Sequence, residues 1–171
     1  NGNATGIPLA PSGEGWITLK SNSSSPNGYV LAYKFAANNT QTVGPWVGST
    51  RTTAVVYRNV RKIPNNTSSS KNFLSDKILY PSIATENSGG TRVVYFSTTK
   101  QNLDSALTPS NTTTRISTQA ISGSAPGIGV HDRLLPSGTE FAGGTNVPVV
   151  TSNTETQAIA IELLSGVPEL Q

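Results

Sequence analysis

The single histidine of this 171-residue chain, His131, is followed directly by Asp132 and Arg133, which sets a base, an acid and a cation side by side. Acid–base catalysis of the Ser-His-Asp kind needs the imidazole and the carboxylate to meet in space. The surrounding "GIGVHDRL" (127–134) reads as a strand, however, and neighbouring strand residues point to opposite faces. His131 and Asp132 are therefore not expected to pair. His131 is expected to be an ordinary strand residue, hydrogen-bonded or at the surface.

The remaining chemistry-bearing types are thinly spread. No G-x-S-x-G elbow is present. The nine acids, Glu14, Asp76, Glu86, Asp104, Asp132, Glu140, Glu155, Glu162 and Glu169, are isolated, whereas a glycosidase needs two to converge. A calcium loop needs several oxygen ligands at close spacing, and "QNLDS" and "VHDR" offer one carboxylate each. The Gly-rich pieces "FAGGTN" and "SGSAPGIG" lack the Lys of a phosphate loop and any following helix, so turns explain them. No catalytic residue, metal site or cofactor is expected, and no turnover of esters, peptides or glycosides.

"TTAVVYRNVRK" (52–62) poses a sharper choice. Arg58 is either an anion clamp, or Tyr57 fills a core while Arg58 and Asn59 shape the corner after a strand. Asn accepts a left-handed backbone better than most residues, which suits the second alternative. The two tryptophans, Trp16 in "GEGWITL" and Trp46 in "TVGPWVGS", lie near strand ends. Sugar-binding modules stack pyranose rings on such residues, and Trp46 is the candidate glycan contact. In a chain that is only 6% aromatic, both are also natural core anchors.

Composition bounds the classes that remain. Charged residues make up 12% of the chain, and Ser, Thr and Asn about a third. The net charge is +3 with Lys and Arg scattered, so no basic stripe for nucleic acid is present. Cysteine is absent, which removes disulfides and thiolate metal sites. No apolar run approaches the roughly 20 residues of a bilayer-spanning helix. The chain begins at Asn1 and contains no Met, as expected of a processed product or a fragment. Six sequons, at Asn3, Asn22, Asn38, Asn65, Asn66 and Asn111, barely exceed chance and carry no weight.

The elements that must position these residues are strands. Helical spacing is nearly absent, whereas period-two alternation recurs. "YVLAYKFA" sets Tyr29, Leu31, Tyr33 and Phe35 on one face, and "TQAIAIELL" opposes Ile159, Ile161 and Leu163 to Ala158, Ala160 and Glu162. "TRVVYFST" opposes Val94 and Phe96 to Val93 and Tyr95. Further strands are expected at 15–20, 52–58, 77–83, 114–121, 127–134 and 146–152. The polar clusters "SNSSSPNG", "PNNTSSSKN", "TENSGG" and "TPSNTTT" read as turns. About nine short strands without helix predict an all-β fold, an antiparallel, jelly-roll-like β-sandwich forming one domain over 1–171. Trp16, Tyr33, Phe35, Val56, Val94, Phe96, Ile159 and Ile161 are its expected core.

Taken together, Gly15-Trp16, Tyr33-Lys34-Phe35-Ala36, Trp46 and Tyr57-Arg58-Asn59-Val60 resemble a β-sandwich module that recurs in tailed-phage virion proteins and in bacterial surface or secreted proteins. "TRVVYFSTT" with "TRISTQ" looks like its middle strands, and "VHDRLLPSGTEFAGGT" with "TQAIAIELL" like its last part. The module usually has Gly where this chain has Asn59. Similar modules also begin with one or two apolar strands before the Gly-Trp piece, where only "NGNATGIPLAP" stands here, so those strands either lie outside this sequence or are missing from a shortened copy.

The resemblance implies a non-enzymatic virion protein, a capsid-decorating, fibre, neck or tail accessory subunit located in the virion. Its partners would be other virion subunits, as a homo-oligomer, with no nucleic acid and no membrane. A sheet edge left open near the start would place Asn1, Ile7 and Leu9 at an assembly contact. The alternative is a carbohydrate-binding module of a secreted enzyme or adhesin, with a surface glycan as partner.

Overall fold

The computed structural model describes residues 8–23, 28–38, 40–63, 67–75, 77–86, 91–99, 111–121, 126–135, 146–148 and 154–165. Ten strands and no helix occur among the described residues. In chain order they are β1 (Ile17–Asn22), β2 (Tyr29–Tyr33), β3 (Val60–Lys62), β4 (Thr67–Ser75), β5 (Lys77–Leu79), β6 (Thr91–Thr99), β7 (Thr113–Thr118), β8 (Gly127–Leu135), β9 (Asn146–Pro148) and β10 (Thr154–Ser165). All pairings are antiparallel. The fold is the expected all-β sandwich.

Its centre is a six-stranded sheet in which β10, β6, β8 and β7 lie side by side. The outer edge of β10 is shared: β4 covers Thr154 to Ile161, and β3 covers Leu164 and Ser165. β1 pairs β2, and β5 pairs β9, as two-stranded sheets. The central strands are apolar on both faces because both faces are covered. Val93, Tyr95, Ala158, Ala160 and Leu135 pack with Ile78, Tyr80 and Ile83 on one side. Val94, Val130, Ile159, Ile161 and Leu163 form the other side. Leu19, Tyr29 and Leu31 from β1 and β2 lie over that second side, together with Val55, Tyr57 and Val60. The alternation read from β6 and β10 thus separates two cores rather than a core from solvent.

Several readings need correction. "NTSSSKN" falls within a polar stretch expected to turn, yet β4 runs through most of it. Its strand state is imposed by the β10 backbone, which offers an unbroken ladder from Thr156 to Ile161; the sequence there carries no apolar alternation to announce it. Phe35 and Val56 were expected in the core, but they are 55% and 84% exposed. Phe35 lies beyond the end of β2, with its ring edge-on to Tyr33 at 5.7 Å. Val56 points outward because Val55 and Tyr57, on the opposite side of the same segment, point to the core. Trp16, Tyr33 and Phe96 are half-buried, while Val94, Ile159 and Ile161 are buried as expected.

Segment 52–58 alternates in exposure as a strand does, but it belongs to no ladder. Its orientation gives a direct prediction. Val55→Ala should cost roughly 1–2 kcal/mol of unfolding free energy, and Val56→Ala should stay within about 0.5 kcal/mol. Urea titration of both variants in dilute solution distinguishes them; the reverse order would mean that the segment is rotated by one residue.

Candidate functional site

Asp132 sits on β8 on the same face of the sheet as Val130, and its side chain is 1% exposed. Three donors reach it. The Tyr57 hydroxyl donates to Oδ2 at 2.9 Å, and Arg92 donates to Oδ1 at 2.7 Å. Arg115 donates to both oxygens, through Nε at 2.6 Å and through its terminal nitrogen at 3.1 Å. The ladder explains the convergence. Asp132 pairs with Val94 on one neighbour and Thr113 on the other. Arg92 is two residues from Val94 and shares its face. Arg115 lies where the β7–β8 register shifts, between Thr114 and Ile116, and such a bulge re-aims a side chain.

Burial alone would raise the Asp132 pKa. The hydrogen bonds from Arg115 and Tyr57, with the charges of Arg92 and Arg115, outweigh it and hold the carboxyl below its ordinary value. The same carboxylate, after burial, pushes the Tyr57 hydroxyl upward. Four hydrogen bonds occupy the lone pairs that a general base would need. The chemistry of this constellation is therefore anchoring.

What it anchors is the segment from Arg51 to Val60, which forms a strap along the length of β7. At one end the Arg51 guanidinium donates to Thr118 Oγ1 at 3.0 Å and to the carbonyls of Gln119 and Pro126, each at 2.6 Å. At the other end Tyr57 holds Asp132, and the Arg92 guanidinium lies 5.9 Å from the Tyr57 ring centre. The chain then turns at Asn59, whose φ of 58° is the left-handed backbone expected of the corner, and enters β3. Of the two readings of "TTAVVYRNV", Tyr57 supplies both packing and a bond. Arg58, exposed beside it, is not among the donors to Asp132.

His131 points to the other face, as strand geometry requires. Its Nδ1 is 3.0 Å from Thr114 Oγ1, and its ring meets Tyr80 edge-on at 6.0 Å. Burial lowers its pKa, partly opposed by the Asp132 charge. A pKa lower in the folded state means that the unfolded chain binds the proton more readily, so stability is complete above the ordinary His value of about 6.5 and declines as pH falls below it. Melting temperature should therefore drop between about pH 7 and pH 5. The drop should shrink in His131→Gln; an unchanged slope in that variant would assign it to other groups.

A second buried carboxylate, Glu162 on β10, faces the first core. The Glu86 main-chain N–H donates to both of its oxygens, at 3.0 and 3.1 Å, and the Thr91 hydroxyl donates at 3.0 Å. It ties the segment after β5 to β10. Nearby the Tyr80 hydroxyl donates to Ser97 Oγ at 2.9 Å. Asp132 and Glu162 lie on opposite faces of the sheet, so these two carboxylates do not form a pair.

Trp46, the candidate glycan contact, is half-buried and packs edge-on against Trp16, with ring centres 5.1 Å apart. Its Nε1 donates to the Val43 carbonyl at 2.8 Å. Lys34 Nζ lies 4.9 Å from the Trp16 ring centre and forms an ion pair with Glu14 at 3.1 Å. Gly44 carries the tight approach of the two loops: its φ is +64°, and a Cβ there would fall 2.7 Å from the Pro11 side chain. These contacts hold the two half-buried tryptophans against each other and against Lys34. Of the expected assembly contacts, Leu9 is 63% exposed and donates its N–H to the Val47 carbonyl at 3.0 Å. Asn1 and Ile7 lie outside the described residues.

Sequence reasoning missed the partners of Asp132. Arg92 and Arg115 lie far from it along the chain, and only the strand register brings them together. No family model, curated protein or solved structure matches this chain.

Proposed function

We propose that this chain is a non-enzymatic structural subunit of a bacteriophage virion. In this reading it is a capsid-decorating, fibre, neck or tail accessory β-sandwich, working in the assembled virion with other virion subunits and with copies of itself. The observation that carries the reading is the Asp132 cluster. The buried carboxylate of Asp132 is spent on holding a strap to a sheet, with both of its oxygens occupied. Glu162 is used in the same way. Such use of charge favours a scaffold. The module resemblance in the Gly15-Trp16, Tyr33-Lys34 and Tyr57-Arg58 stretches then supplies the kind of scaffold.

Mass spectrometry of particles purified by density gradient tests this. The chain should band with the particles at a constant ratio to the major capsid subunit. Recovery only in the soluble fraction, or glycoside hydrolysis by the purified chain, would contradict it.

A further inference from the structure

The strap that Asp132 and Arg51 hold down has the alternation of a strand but lacks a strand's neighbours. No main-chain hydrogen bond joins Thr53, Ala54, Val55 or Val56 to any strand among the described residues. Thr53, Val55 and Tyr57 turn inward, while Thr52, Ala54 and Val56 turn outward. Extended backbone with free N–H and C=O groups is a template for pairing with another chain. We propose that segment 52–58 is the self-association edge of this protein, pairing antiparallel with the same segment of a second copy about a two-fold axis at Val55. The proposal rests on the assembly reading above and names its interface.

The second copy follows from the pattern of the segment. A two-fold interface must be self-complementary, each residue meeting its counterpart by symmetry. With the axis at Val55, Ala54 stands opposite Val56 of the partner subunit, outward against outward. Thr53 stands opposite Tyr57 of the partner subunit, inward against inward. Opposed residues of an antiparallel pair share a face, so every position keeps its side. Charge weighs against the register shifted by half a step. Arg58 meets Thr52 of the partner subunit, whereas moving the axis to between Ala54 and Val55 would set Arg51 against Arg58 and oppose inward to outward residues. The segment holds no Lys and no Pro, the usual blocks on edge pairing. A pair of this length covers less than a standard interface, so the isolated dimer should be weak and concentration-dependent.

Sedimentation equilibrium of the full 171-residue chain from micromolar to millimolar concentration, alongside Val56→Lys, tests the pairing. Val56 is exposed, so the variant should melt like the native chain while its dimerisation weakens by at least about tenfold. The chain has no cysteine, which permits a register test. Ala54→Cys mixed with Val56→Cys should form a disulfide heterodimer, and neither variant alone should form a homodimer, because only opposed residues are near enough. A monomer at every concentration overturns the proposal. So does a dimer indifferent to Val56→Lys, or cross-linking of Ala54→Cys with itself. In each of these cases the chain can still band with particles, which leaves the virion reading standing; absence from particles with an intact dimer removes that reading and keeps the interface.

Discussion

Ile161→Ala should lower the unfolding free energy by about 2–5 kcal/mol. Ile161 lies in the middle of β10, 4% exposed, paired to Val94 on β6 and to Thr67 on β4. Its side chain shares the second core with Val94, Val130, Ile159 and Leu163. Because strands flank it on both sides, the backbone cannot collapse far into the cavity left behind, which places the cost in the upper part of that range. Urea denaturation followed by tryptophan fluorescence measures it. A change below about 1 kcal/mol would mean that the second core is not closed by β1, β2 and the strap.

The second large effect is Asp132→Ala. The substitution removes the acceptor of Tyr57, Arg92 and Arg115 together. Breaking a fully buried pair costs about 3–5 kcal/mol. Here Arg92 and Arg115 are 30% and 41% exposed and regain water, so a loss of roughly 2–3 kcal/mol is expected. Its pH dependence has a definite sign. The carboxyl is held below its ordinary pKa in the folded state, so the stability it confers is present above about pH 4 and is lost as pH falls through the folded value. The native chain should lose stability in acid more steeply than Asp132→Ala does. Equal slopes below pH 4 would remove Asp132 from the acid transition.

Much of this fold was legible as alternation. Val94 against Val93 and Ile159 against Ala158 were separable by period alone, and the structure keeps each on its own side. β4 was not legible, because a Ser-rich strand held by its neighbour's backbone, with Phe73 and Leu74 adjacent rather than alternating, has no period-two pattern. The face of the strap was misread at Val56 for a related reason: "AVV" places apolar residues on both sides, and only the packing of Tyr57 selects one. At the site, the opposed directions of His131 and Asp132 and the left-handed corner at Asn59 followed from local geometry. The convergence of Arg92 and Arg115 did not, since it depends on the β6–β8–β7 register and on a bulge beside Arg115. Local rules fix directions, whereas partners far apart in the chain require the ladder.

The claim on which the rest depends is that Asp132 anchors the strap through Tyr57. A double-mutant cycle with Tyr57→Phe and Asp132→Asn, read by urea denaturation, isolates that bond. A coupling energy of about 1 kcal/mol or more is expected, because the charged acceptor is buried and the Tyr57 ring stays in place when its hydroxyl is removed. Strict additivity of the two substitutions, with each costing little, would show that the strap is held by packing alone and would contradict the anchoring role of the carboxylate.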